Sequence, residues 1–181
     1  MLEAFEKSKQ KDSFLVGMWA LNRTDPYHSY VKVADAVRLD KRNYQPNGMT
    51  QLCDRWGEVL SANVAYAQQL RANGTPVRSI AVVITDSYDN ASSKFTTRDC
   101  AKIAKDLLAS EQFILALVGV GNEADFRAMA KDMGLPDGAV LLAAATASDM
   151  RRIFQLVSQS VIRASQADIS ASKAQNQFFT N

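Results

Sequence analysis

The feature that most constrains this chain is a set of three apolar runs, RSIAVVITD at 78–86, FILALVGVG at 113–121 and GAVLLAAA at 138–145. Each is strand-length and carries almost no polar face. Such runs suit strands covered on both sides, as in a parallel sheet flanked by helices. Between and after them apolar residues recur at helical spacing. Cys100, Ile103, Ala104 and Leu107 form one stripe, Phe126, Met129 and Met133 a second, and Met150, Ile153, Val157 and Val161 a third. Thr96 is placed to cap the first of these helices, Asn122 with Asp125 to open the second, and Thr146 with Asp149 to open the third. Strands alternating with helices of these lengths predict an α/β fold, a Rossmann-like doubly wound and mostly parallel sheet with helices on both faces.

Upstream, Leu2, Phe5 and the polar stretch after them predict the last turns of a helix, ended before Ser13. SFLVGMWALN predicts a strand of the covered, parallel kind, and YVKVADAVRL predicts an edge strand with one wet face. After the turn at Pro46, Asn47 and Gly48, apolar residues from Leu52 to Leu70 predict the longest helix, stopped by Asn73 and Gly74. From Ala164 onward the sequence is rich in Ser, Ala and Gln without an apolar stripe, which predicts a flexible polar tail over 164–181. The chain thus divides into one ordered domain over 1–163 and that tail.

Composition narrows the partners. Of the 181 residues, 21 are basic and 19 acidic, and the basic ones are scattered (Lys7, Lys9, Lys11; Lys41, Arg42; Arg151, Arg152). A formal charge of +2 spread in this way gives no patch for neutralising phosphates, which argues against nucleic acid and an anionic membrane as partners. Cys53 and Cys100 lack CxxC or Cys/His spacing and read as reduced thiols in a cytoplasmic protein. No run approaches the ~18 apolar residues of a membrane span.

Asp86 ends the strand of IAVVITDSYDN, on the rim where parallel α/β sheets bind ligands. Position alone is equally consistent with a turn-forming role. The order of AVVITDSYDN, FILALVGVGNEADFRAMAKDMG and ATASDMRRIFQLVSQSV, together with PNGMTQLCD before the long helix, resembles the von Willebrand factor A domain from about Met1 to Val161. In that family a strand ending in Thr-Asp is followed by one ending in Gly-x-Gly. The resemblance implies a non-enzymatic module that binds a protein partner through a metal-ion-dependent adhesion site. It further implies Mg²⁺ or another divalent cation, with Thr50 as the second-loop ligand and Asp86 as the third-loop carboxylate.

Two departures qualify the match. Ser87 stands where the family commonly has Gly, at a loop that favours unusual backbone angles. The family's first strand, carrying Asp-x-Ser-x-Ser, is expected before the helix that ends near Lys11, and no such segment precedes it here. In the family's strand order, 3-2-1-4-5-6, that strand is central. The strands at SFLVGMWALN and RSIAVVITD are therefore expected to have unpaired inner edges, filled by a segment upstream of Met1, by each other, or by another chain. An upstream segment is the favoured source, because MLEAFEKSKQ reads as the middle of a helix. A literal copy of the motif at Asp168, Ser170 and Ser172 follows RASQA rather than an apolar strand and reads as a chance match.

Gly119-Val120-Gly121 lacks the third glycine of a dinucleotide fingerprint. His28 lies in a polar turn and reads as a surface residue; Asp54 reads as a helix cap or pairing group, and Asp89 and Asn90 as loop-forming groups. A small α/β hydrolase or nucleotide-binding enzyme using Asp86, and a structural remnant with no site, are the alternatives. With Thr50 and Asp86 as its only ligands, the isolated chain is expected to bind Mg²⁺ weakly or not at all.

Overall fold

The structure is a computed structural model that describes residues 1–9, 11–122, 124–166 and 171–179. Its elements run α1 (Leu2–Glu6), β1 (Leu15–Met18), β2 (His28–Lys32), α2 (Leu52–Ala72), β3 (Ser79–Thr85), α3 (Thr97–Ala109), β4 (Phe113–Val120), α4 (Phe126–Asp132), β5 (Val140–Ala143), α5 (Ala147–Gln166) and α6 (Ala171–Asn176), with single 3₁₀ turns at Lys11–Ser13, Val33–Asp35 and Asp137–Ala139.

The three apolar runs form one parallel sheet in the order β3-β4-β5. All eight residues of β4 are buried, which accounts for a run with no polar alternation. One face of the sheet packs Ala81, Val83, Leu115 and Leu117 against Leu52, Trp56 and Leu60 of α2, Cys100 and Ala104 of α3, and Phe126 and Met129 of α4. On the other face, Ile114, Ala116 and Val118 meet Ile153, Val157 and Ala164 of α5 and Ala174 of α6. Helices therefore cover both faces, a mixed α/β arrangement of Rossmann-like kind. Three strands stop short of the six-strand order that the resemblance implies.

The helix starts follow local chemistry. Thr96 and Asp99 make a reciprocal capping box at α3. Thr146 Oγ1 accepts from the Asp149 amide at 3.1 Å at the start of α5. At α4 the cap is Asp125, which accepts from the Ala128 amide, rather than Asn122. Asn122 sits three residues too early, because the chain first turns through Gly121 at φ 86° after β4.

The amino-terminal strands depart from expectation. β1 is not part of the parallel sheet: it pairs antiparallel with β2 in a separate two-stranded ribbon with an irregularity between Val16 and Met18. Its apolar content has another use. Phe14 stacks on Phe5 of α1 with centroids 5.2 Å apart, and Trp19 meets Tyr30 edge-on at 5.9 Å. Tyr30 in turn stacks on Tyr66 of α2 at 4.3 Å, which anchors the ribbon. β1 and β3 do not pair, so among the described residues the two expected inner edges are not joined to each other. His28 opens β2 rather than lying in a turn, and its Nδ1 accepts from the Val37 amide at 3.3 Å.

The segment from Ala164 onward, expected as a polar tail, carries helix in its described residues. α5 continues to Gln166, and α6 returns to the sheet with Gln175 and Phe178 buried. Gln175 Oε1 accepts from the Leu115 amide at 2.7 Å and its Nε2 donates to the Leu115 carbonyl at 2.6 Å. β5 first pairs with β4 at Leu117, so Leu115 lies beyond its reach and the Gln175 amide takes the place of a neighbouring strand. Gly138 lets α6 come this close: a Cβ there would fall 1.8 Å from the Asn176 carbonyl oxygen. Asp168, Ile169 and Ser170 of the literal motif copy lie outside the described residues, and Ala171 and Ser172 open α6.

Candidate functional site

The carboxyl ends of β3, β4 and β5 make one rim. Its outer corner is built by the β3–α3 loop and the start of α2. Thr85 shapes the turn: its Oγ1 donates to the Ser87 carbonyl at 2.9 Å and accepts from the Ser87 amide at 3.3 Å. Asp86, held within that turn, is exposed and makes no hydrogen bond or ion pair among the described residues.

Thr50 stands across from the turn. Its backbone is held by Asn90, whose Oδ1 accepts from the Thr50 amide at 2.7 Å and whose own amide donates to the Thr50 carbonyl at 3.0 Å. Thr50 Oγ1 lies 2.9 Å from Ser87 Oγ. Either hydroxyl can donate in this pair; the Ser87 hydroxyl also lies within reach of the Tyr88 carbonyl at 3.2 Å, and when its proton goes there Thr50 is the donor. In either arrangement the Thr50 oxygen keeps at least one lone pair available. The corner therefore presents two linked hydroxyls and one uncommitted carboxylate on adjoining loops. Ser87 adopts this role without a left-handed backbone, since Tyr30 and Glu111 are the only described non-glycine residues at positive φ.

Behind the corner, two carboxylates are fully engaged. Asp54 of α2 is 2% exposed and accepts from three successive amides, those of Ser93, Lys94 and Phe95, at 2.9, 2.8 and 2.8 Å. Burial alone would raise its pKa, but these three bonds together hold it below the usual carboxylate value. Asp89 accepts from the amides of Cys53, Ala91 and Ser92. Here too burial pushes upward, and the bonds from Ser92 and Cys53 prevail and bring the pKa to about 2. The two carboxylates tie the β3–α3 loop to the first turn of α2. Gly57 completes the fit, because a Cβ there would approach the Phe95 ring to 2.7 Å.

The rest of the rim is joined by Tyr88, whose hydroxyl accepts from the Asp125 amide at 2.6 Å and links this loop to the start of α4. Gly119 closes β4 beside Phe126, with no room for a Cβ. Cys53 and Cys100, distant in sequence, are both buried and free below the corner, and Cys100 Sγ donates to the Cys53 carbonyl at 3.6 Å.

Sequence reasoning named Asp86 from the end of its strand and Thr50 from the resemblance; in the structure Asp86 follows β3 directly and Thr50 lies beside Ser87 of the same turn. It missed Ser87 as Thr50's partner and Asn90 as its backbone clamp. The available signal was the density of Ser, Asp and Asn in SYDNASS, residues that bond to nearby backbone. Among the described residues no three His, Cys, Asp or Glu side chains gather as a metal cluster, and no helix is long and apolar enough to cross a membrane. No family model matches the sequence, and no curated protein is significantly similar to it.

Proposed function

We propose that this chain is a non-enzymatic protein-binding module of von Willebrand factor A type with an incomplete metal-ion-dependent adhesion site at Thr50 and Asp86. The observation that carries this reading is the corner itself. An exposed, uncommitted carboxylate and a hydroxyl with at least one free lone pair sit on adjoining loops at the carboxyl rim of a parallel sheet.

The donor chemistry suits a hard cation: all the donors are oxygen, and Mg²⁺ prefers about six oxygens at roughly 2.0 to 2.1 Å. Thr50 and Asp86 would hold such an ion, and Ser87 would keep the Thr50 hydroxyl turned. Two ligands fall well short of that number, so the remaining oxygens come from water, from a partner's carboxylate, or from a further segment of protein. The module therefore binds its protein partner with the cation rather than storing the cation alone. Two free, buried thiols fit work in a reducing compartment such as the cytoplasm.

The test is capture of protein partners on immobilised chain, with Mg²⁺ or with a chelator, comparing native protein with Asp86→Ala. The reading predicts a partner that is captured with Mg²⁺, lost with the chelator, and lost again with Asp86→Ala. Capture indifferent to both treatments would overturn it. A companion titration by calorimetry is expected to show no saturable Mg²⁺ binding to the chain alone at micromolar concentration.

A further inference from the structure

The edge of β3 carries an inference independent of the adhesion site. In the β3–β4 pair the Ser79 amide donates to the Gln112 carbonyl, so Ser79, Ala81, Val83 and Thr85 turn their peptide groups toward β4. Ile80, Val82 and Ile84 turn theirs the other way, and among the described residues β3 pairs with no strand besides β4. Their side chains are half-buried against the α5 face. The strand lacks three of the usual protections of a free edge: it has no proline, no bulge against β4, and no charge between Arg78 and Asp86.

The sequence of this edge is close to a palindrome. From Arg78 to Asp86 it reads R-S-I-A-V-V-I-T-D, with Val82 at its centre. An antiparallel pair of two such strands about a two-fold axis at Val82 sets Ile80 opposite Ile84, Ala81 opposite Val83, and Ser79 opposite Thr85. It also sets outward-facing residues opposite outward-facing residues, so every free N–H and C=O of Ile80, Val82 and Ile84 finds a partner. β-branched residues facing one another are favourable cross-strand neighbours. We propose that two copies of this chain associate through β3, joining their parallel sheets into one continuous sheet across a two-fold axis at Val82.

Three readouts on the full chain test this. Sedimentation over a concentration series is expected to show a doubled mass with rising concentration. Hydrogen exchange is expected to show the amides of Ile80, Val82 and Ile84 slowing in step with that mass, while those of Ala81 and Val83 are slow throughout. Val82→Cys is expected to cross-link to itself under mild oxidation, since paired Cα atoms about 5.5 Å apart lie within disulfide reach. Ile80→Cys, four positions out of register with its own copy, is the control that does not.

A chain that stays monomeric up to ~100 μM with rapid exchange at Ile80, Val82 and Ile84 overturns the proposal. So does equal cross-linking of the two cysteine variants, which would mean random collision. Slow exchange at these amides without a doubled mass also overturns it, and assigns the edge to a strand from elsewhere.

Discussion

Asp54 and Asp86 are carboxylates of the same rim with opposite circumstances. Asp54 is 2% exposed and spends both oxygens on three amides of the loop that follows Asp86. Asp86 is exposed and, among the described residues, spends neither. Asp54 and Asp89 fix the loop, and Asp86 is the acidic group which that rigid loop presents. A carboxylate's place in a fold thus does not reveal its work; the number of donors already aimed at it does.

The contrast breaks first at Asp54. Asp54→Ala leaves three loop amides without their acceptor in a water-poor site, and is expected to cost about 3 kcal/mol. In a urea melt with a slope of roughly 2 kcal/mol per M, the midpoint falls by about 1.5 M. A loss under ~0.5 kcal/mol would mean that the amides find other partners and that the clamp is dispensable.

Gln175 extends the comparison to the far side of the sheet. It is another buried polar group fully committed to backbone, holding both peptide groups of Leu115. Gln175→Ala is expected to cost about 2 kcal/mol in the same melt, because a strand amide and carbonyl are left unpaired in the core. Gln175→Glu should be worse at neutral pH, since a carboxylate cannot donate to the Leu115 carbonyl.

Acid sharpens it further. The folded-state pKa of Asp89 is depressed to about 2, below an unfolded value of about 3.9. The group therefore binds its proton more readily when unfolded. Its contribution is present in full above pH ~4 and disappears as pH falls through about 2. Asp54, depressed for the same reason, acts in the same direction. Asp89→Asn should flatten the stability profile between pH ~4 and ~2; an unchanged acid limb would assign the acid sensitivity to other groups.

The smallest effect on stability is expected at the residue with the largest effect on binding. Asp86→Ala should shift the urea midpoint by no more than its error, within ~0.5 kcal/mol, while removing the chelator-sensitive capture described above.

Much of this fold was legible from the sequence because the runs of β3, β4 and β5 carry almost no polar residues and the helices between them carry one apolar stripe each. That pattern admits few other arrangements. The amino-terminal ribbon was not legible, because apolarity reports burial and not the neighbour. Phe14 and Trp19 are apolar for the sake of Phe5 and Tyr30, and imitate a strand covered by helices. The return of α6 was hidden for the converse reason. Its anchor, Gln175, is polar, and becomes a core residue only because β5 begins too late to reach Leu115.

At the site, Thr50 and Asp86 were reached through the resemblance and the end of an apolar run. The engagement of Asp54 could not be read so directly: it depends on amides some 40 positions away, an approach that only the packing of the loop on α2 creates.

The division of labour between the two carboxylates is tested most directly by parallel urea melts of native protein, Asp54→Ala and Asp86→Ala at pH 7. The expected result is a midpoint lowered by about 1.5 M for Asp54→Ala and unchanged for Asp86→Ala. Equal losses in the two variants, or a silent Asp54→Ala, would contradict the assignment of one carboxylate to the scaffold and the other to binding.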